Sequence, residues 1–120
     1  MRDEILKWLY DAHEASAAVL GFVSGKVFSE YSADELLRSA VERKLGIVGE
    51  ALARIRREDP EVLDGIREHR SIISFRNILV HNYDGLDHRI VWGVVQEDLE
   101  NLLEDLHVAL SSSSSHDRGA

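Results

Sequence analysis

Apolar side chains recur every three or four positions along most of this chain, and that spacing restricts it to helices that each pack through one face. From Asp3 to about Lys26 the stripe is Ile5, Leu9, Ala12, Ser16, Val19, Leu20 and Val23. Gly25 and the segment Phe28–Tyr31 end it. Ser32-Ala33-Asp34-Glu35 has the form of a capping box, with Ser32 accepting from an amide three residues on and Glu35 reaching back. The helix it opens continues through Leu37, Ala40, Val41, Leu45, Val48, Leu52 and Ile55 to about Arg57. Asp59-Pro60 restarts the chain, since Asp caps helices well and Pro suits a first helical position. A short turn with Val62, Leu63 and Ile66 follows. Residues 70–82 read as another helix, although Ile72, Ile73 and Val80 would also suit a strand. Asn82-Tyr83-Asp84-Gly85 reads as a turn, and Asp87 as the cap of a last helix with Val91, Val94, Val95, Leu99, Leu102, Leu103, Leu106 and Leu110 on its inner face. The serine-rich tail from Ser111 to Ala120 has nothing to bury and is expected to be disordered. The expected domain is therefore 1–110, an all-α, up-and-down four-helix bundle with an extra short helix.

Composition narrows the class further. One Pro and 8 Gly are few for a sheet protein rich in turns, and no cysteine is present for disulfides, thiol catalysis or a thiolate zinc site. No apolar run approaches the roughly 20 residues of a membrane span. Met1-Arg2-Asp3-Glu4 leads straight into the amphipathic pattern and does not read as a signal peptide, so a cytoplasmic protein without membrane attachment is expected. The net charge of −8 opposes broad nucleic-acid binding. The charge is uneven, however. Residues 54–89 carry seven acids and seven arginines (Arg54, Arg56, Arg57, Arg67, Arg70, Arg76 and Arg89), and only there could a phosphate be met on favourable terms.

The segment Arg76-Asn77-Ile78-Leu79-Val80-His81-Asn82-Tyr83 holds the residues with usable chemistry. Arginine offers a permanently charged planar fork suited to phosphate oxygens, and histidine exchanges a proton near neutral pH. Together they could cleave an RNA phosphodiester without a metal or other cofactor. His81 would take the proton of the ribose 2′-hydroxyl, or return one to the leaving oxygen, while Arg76 offsets developing charge. Only RNA supplies that hydroxyl. At 100° per residue the two side chains stand about 140° apart on a helix, so they share no face, whereas Asn77 and His81 do. Either the helix unwinds near His81, or a second copy completes the site across a two-fold axis. The plainer readings are that Arg76 pairs with Glu50 or another acid, that His81 caps its helix, and that Tyr83 is a core aromatic with its hydroxyl at the rim.

The other features are weaker. None of His13, His69, His81, His88, His107 and His116 forms an HExxH or HxH metal motif. Gly46-Ile47-Val48-Gly49 lacks the lysine of a phosphate loop and is better suited to close helix packing. Trp8, Tyr10 and Trp92 suit a core or an interface. Glu97, Asp98, Glu100, Glu104 and Asp105 make the last helix acidic on its solvated side.

Arg76-Asn77-xxx-His81-x-Tyr83 resembles the R-x4-H-x-Y motif of the HepT toxins, a branch of the HEPN superfamily. Ile47-Val48-Gly49-Glu50-Ala51 is similar to a GEA-containing segment of that family's second helix, and Ile90-Val91-Trp92 to the opening of its last helix. The resemblance covers roughly residues 1–110. It implies a homodimeric helical bundle whose two Arg–His motifs face a shared cleft, and a metal-independent RNA-cleaving toxin with Arg76 and His81 catalytic and Asn77 auxiliary. It also implies a partner, a MntA-type nucleotidyltransferase antitoxin, which transfers AMP onto the motif tyrosine, here Tyr83. A second reading makes the protein a nucleotide- or substrate-binding subunit of such a nucleotidyltransferase, without nuclease activity of its own.

Overall fold

The computed structural model describes the backbone of residues 1–81 and 86–119, with side chains as far as Ser112. Tyr83, with Asn82, Asp84 and Gly85, lies outside the described residues, and so does the turn expected there. Among the described residues there are six α-helices and one 3-10 turn and no strand, as the apolar spacing requires. No described helix is long and apolar enough to cross a membrane.

Helix α1 (Asp3–Val23) buries Ile5, Leu9, Ala12, Ala15, Ser16, Val19 and Val23, close to the stripe read from the sequence. Asp3 and Glu4 in its first turn oppose the positive end of the helix dipole. It stops three residues before Lys26, where Gly25 takes a left-handed φ of 74°. The segment Phe28–Ala33, expected only to end α1, forms a short helix of its own, α2. The Glu30 carboxylate accepts from the Val27 amide at 3.0 Å and starts it. Tyr31 on α2 is fully buried, with its ring 5.2 Å from that of Trp92, while Phe28 meets Trp92 edge-on.

Helix α3 (Glu35–Glu58) is capped by Asp34, whose Oδ1 accepts from the Leu37 amide at 3.0 Å. The expected Ser32 capping box is therefore corrected by two residues, because Ser32 is already committed to α2. Arg56 and Arg57 close α3 at its negative end. Pro60–Gly65 is the 3-10 turn, and it buries Leu63. Helix α4 (His69–His81) resolves the helix-or-strand ambiguity in favour of the helix. Glu68 precedes it with φ of 69°, and its carbonyl accepts from the Ile72 amide at 3.0 Å. Ile72, Ile73 and Phe75 face inward.

The expected single last helix is two, α5 (His88–Glu97), capped by Asp87, and α6 (Leu99–Gly119). They divide at Asp98, whose carboxylate accepts from the Ser71 hydroxyl of α4 at 3.0 Å. Asp98 keeps a right-handed helical backbone, with its amide on the Val94 carbonyl at 3.0 Å and its carbonyl accepting from Leu102 at 3.1 Å, so the division is a one-residue irregularity beside that tertiary contact. The helical backbone continues past Ser111 through Gly119. Propagation adds residues to a helix without a fresh nucleation cost, and Ser111 and Ser112 follow α6 while exposed.

Helix α1 lies along α3 and α6, and α4 packs on α3. Leu9, Leu45, Leu52, Ile55, Ile72, Leu99, Leu102 and Leu106 fill the centre. One polar tether fixes the entry to α4. The backbone amide and Nε of Arg67 both donate to Asp105 Oδ2 at 2.9 Å, and Nη2 donates to Oδ1 at 3.1 Å. The hydrogen bond from the Arg67 side chain is the main reason that the Asp105 carboxyl is held below the usual carboxylate range. A depressed carboxyl pKa stabilises the fold above the unfolded value of about 4, and that contribution disappears as pH falls through the folded value. Asp105→Asn is therefore expected to lower the urea midpoint at pH 7, and the gap to wild type should narrow as pH falls below the unfolded value and close once the Asp105 carboxyl is protonated in the folded state. A gap of equal size in neutral and in acid solution would show that the carboxylate charge contributes nothing.

Candidate active site

The fold places Arg76 on the face of α4 that meets α3. Two features of α3 make room for it and hold it. A Cβ built on Gly49 would overlap Arg76 Cβ, and would lie 2.7 Å from Arg76 Cγ and 3.4 Å from the Ile72 carbonyl, so the missing side chain is what admits the root of Arg76. The close packing expected of the Gly46–Gly49 segment is thus found at Gly49 alone, because a Cβ on Gly46 would meet nothing within 4 Å. One residue further on, Glu50 Oε2 accepts from Arg76 Nη2, while Glu50 Oε1 accepts from Arg54 Nε at 3.2 Å. Asn77 Oδ1 accepts from Arg76 Nη1 at 3.1 Å. The Arg76 side chain is left 31% exposed, half-buried yet open to solvent.

Arg76 borders a groove of about 420 Å³ between α1, α3 and α4. Trp8, Ile47, Leu79 and Val80 supply its apolar wall. Arg43, Arg54 and Arg76 are balanced there by Asp11, Glu42 and Glu50, so the groove is polar without a large net charge. Trp8 thus serves as core packing and as groove wall at once. Trp92 packs against the core, whereas Tyr10 is 56% exposed and belongs to no core.

His81 is not part of this groove. It is exposed at the last described turn of α4, and α4 remains helical through it. The unwinding that could have brought His81 round to Arg76 does not occur up to that residue. Within one chain the structure joins Arg76 to Glu50, Arg54 and Asn77, and it leaves His81 on another side of the helix. Asn77 is exposed on α4 one residue after Arg76, where it steadies the guanidinium. The pairing of Arg76 with Glu50, one of the plainer alternatives, is real. From the sequence Arg54 was one of seven arginines that could meet a phosphate and Trp8 a core or interface aromatic; neither was placed beside Arg76. The four-residue spacing of Glu50 and Arg54 was the available signal for the first; Trp8 sits on a distant helix and had none.

An all-helical bundle presenting an arginine in an open groove, with a histidine five residues on, has the chemical groups of a phosphodiester-cleaving protein. The model of the HepT-like family, described as Ribonuclease HepT-like, matches residues 12–109, and the chain belongs to that family of ribonucleases. The "Probable ribonuclease HepT" of Thermococcus cleftensis is 32% identical over 99 residues, which is 79% of this chain and 86% of that protein. The "Putative RNase MJ1380" of Methanocaldococcus jannaschii is 29% identical over 105 residues, 88% of this chain and 95% of the relative. No solved structure matches the chain.

Proposed function

We propose that this ribonuclease is the toxin of a type VII toxin–antitoxin pair, cutting RNA without a metal through Arg76 and His81. The observation that carries the reading is the setting of Arg76, an arginine half-buried at its root and open at its tip beside a groove. Its guanidinium has five N–H donors, and Glu50 and Asn77 engage two, so donors remain for phosphate oxygens.

In the reaction, His81 accepts the proton of the 2′-hydroxyl. The 2′-oxygen bonds to phosphorus, the bond from phosphorus to the 5′-oxygen breaks, and that oxygen leaves with a proton returned by an imidazolium. The products are a 2′,3′-cyclic phosphate and a 5′-hydroxyl. Arg76 carries the charge that builds on the phosphoryl oxygens. Because α4 stays helical through His81, a homodimer in which each Arg76 faces the partner's copy of the histidine fits this chemistry better than one chain acting alone. A MntA-type nucleotidyltransferase would silence the enzyme by transferring AMP from ATP to the Tyr83 hydroxyl with release of pyrophosphate, since the added nucleotide brings a negative phosphate that competes with RNA.

One preparation tests the whole reading. Protein made alone, incubated with RNA in excess EDTA, is expected to cut it and leave 2′,3′-cyclic ends. Protein co-expressed with the nucleotidyltransferase is expected to be inert and to carry added AMP on the Tyr83 peptide. Intact RNA in the first arm rejects the nuclease and favours the binding-subunit reading. An unmodified Tyr83 beside an active partner rejects the silencing step.

A further inference from the structure

Glu50 ties two arginines of the groove together, and only one of them belongs to the motif. Arg54 lies one turn further along α3, so its Nε reaches Oε1 of the carboxylate whose Oε2 holds Arg76. Glu50 and Arg54 side chains are 37% and 48% exposed, and both border the groove. A simple surface ion pair at this spacing would contribute little. Here the carboxylate also reaches across to another helix, so it sets the position of one guanidinium relative to the other. With its Nε engaged, the two terminal nitrogens of Arg54 have no protein partner among the described residues.

We infer that Arg54 is a second phosphate-binding residue of the ribonuclease, and that Glu50 is a positioning residue which sets Arg76 and Arg54 as a pair against the RNA backbone. The inference rests on the ribonuclease reading of this groove. Glu50 removes part of the positive charge, and in exchange two flexible side chains are ordered before RNA arrives. Ordered donors lose less freedom on binding and need no rearrangement as charge develops. Arg54, further along α3 and remote from α4 in sequence, meets a neighbouring phosphate and adds affinity; Arg76 acts at the scissile one. The two residues should therefore fail differently. Loss of Arg54 weakens the hold on RNA, whereas loss of the Glu50 charge lets Arg76 drift where a displacement of about 1 Å costs on the order of a hundredfold in rate.

The experiment uses the full-length protein, a cleavable RNA oligonucleotide, and a 2′-O-methyl oligonucleotide of the same sequence that cannot be cut. Arg54→Ala is expected to raise KM about tenfold, and to flatten by about 0.7 the slope of log affinity against log salt for the uncuttable strand. Glu50→Gln keeps the shape of the side chain and is expected to lower kcat by roughly 10- to 100-fold while KM changes little. Thermal melts identify any variant that fails to fold, and Arg54→Lys, which keeps the charge, should recover most of the salt slope. Arg54→Ala with unchanged KM and slope overturns the second phosphate contact. Glu50→Gln cutting as fast as wild type, or faster, overturns the positioning role and makes Glu50 a competitor of phosphate. Wild-type protein that cuts no RNA overturns the ribonuclease site itself and this inference with it; normal wild-type cleavage beside unaffected variants overturns this inference alone.

Discussion

Replacing Arg76 or His81 by alanine is expected to lower RNA cleavage by about 10²- to 10⁴-fold, and to abolish growth inhibition, while the fold survives. The size follows from what each group supplies: a positioned acid–base and a preorganised positive charge each contribute in that range. The fold should persist because neither side chain is in the core. His81 is exposed, and Arg76 leaves behind a Glu50 that is solvated and still paired with Arg54. The geometry makes a sharper version possible. With α4 helical through His81, a dimeric site would take Arg76 from one chain and His81 from the other. Mixing Arg76→Ala and His81→Ala subunits would then restore one intact site per mixed dimer, or roughly a quarter of wild-type activity after random assortment. Cleavage by the mixture no better than by either variant would mean that the two groups do not meet across a two-fold axis. Variants as active as wild type would remove both residues from the chemistry.

Gly49→Ala should have the next largest effect, and it separates two glycines that look alike in the sequence. A methyl group at Gly49 runs into Arg76 Cβ and Cγ and presses on the Ile72 carbonyl. Those atoms are the root of a side chain and the backbone of a helix, so no swing of a flexible end relieves the overlap, and α4 must move off α3. Overpacking of this kind costs about 1–3 kcal/mol, and shifting the base of Arg76 should cost about a hundredfold in cleavage. Gly46→Ala places its methyl in open space and should gain about 1 kcal/mol from helix propensity. Urea midpoints and cleavage rates of the two variants provide the comparison. Equal stability of both would show that α4 does not rest on Gly49.

Helix identity was legible wherever one amphipathic face repeated over several turns, as in α1 and α3, because burial of that face dominates the choice of structure. Even the β-branched stretch of α4 followed its pattern. Boundaries were less legible. Ser32 and Asp34 are both good caps, and the choice between them depends on Tyr31 being drawn into the core against Trp92. The irregularity at Asp98 coincides with a hydrogen bond from Ser71, which is 27 residues away, and no local signal announces that contact. The site divides in the same manner. Arg76 and His81 stand out by side-chain chemistry, and their separation on one helix follows from 100° per residue. That Arg76 is joined to Glu50, shares it with Arg54, and borders a groove walled by Trp8 follows from the packing of α1, α3 and α4.

By itself, then, the sequence determined that this chain is helical, and it offered the segment from Arg76 onward as the candidate for its chemistry. Periodic apolar spacing and side-chain reactivity are properties of neighbouring residues. Only the tertiary structure decided which partners Arg76 has and which side of α4 the histidine takes relative to the groove. The reason is spatial: a single glycine on α3 sets how near α4 can lie, and that distance determines whether the Glu50 carboxylate reaches the guanidinium.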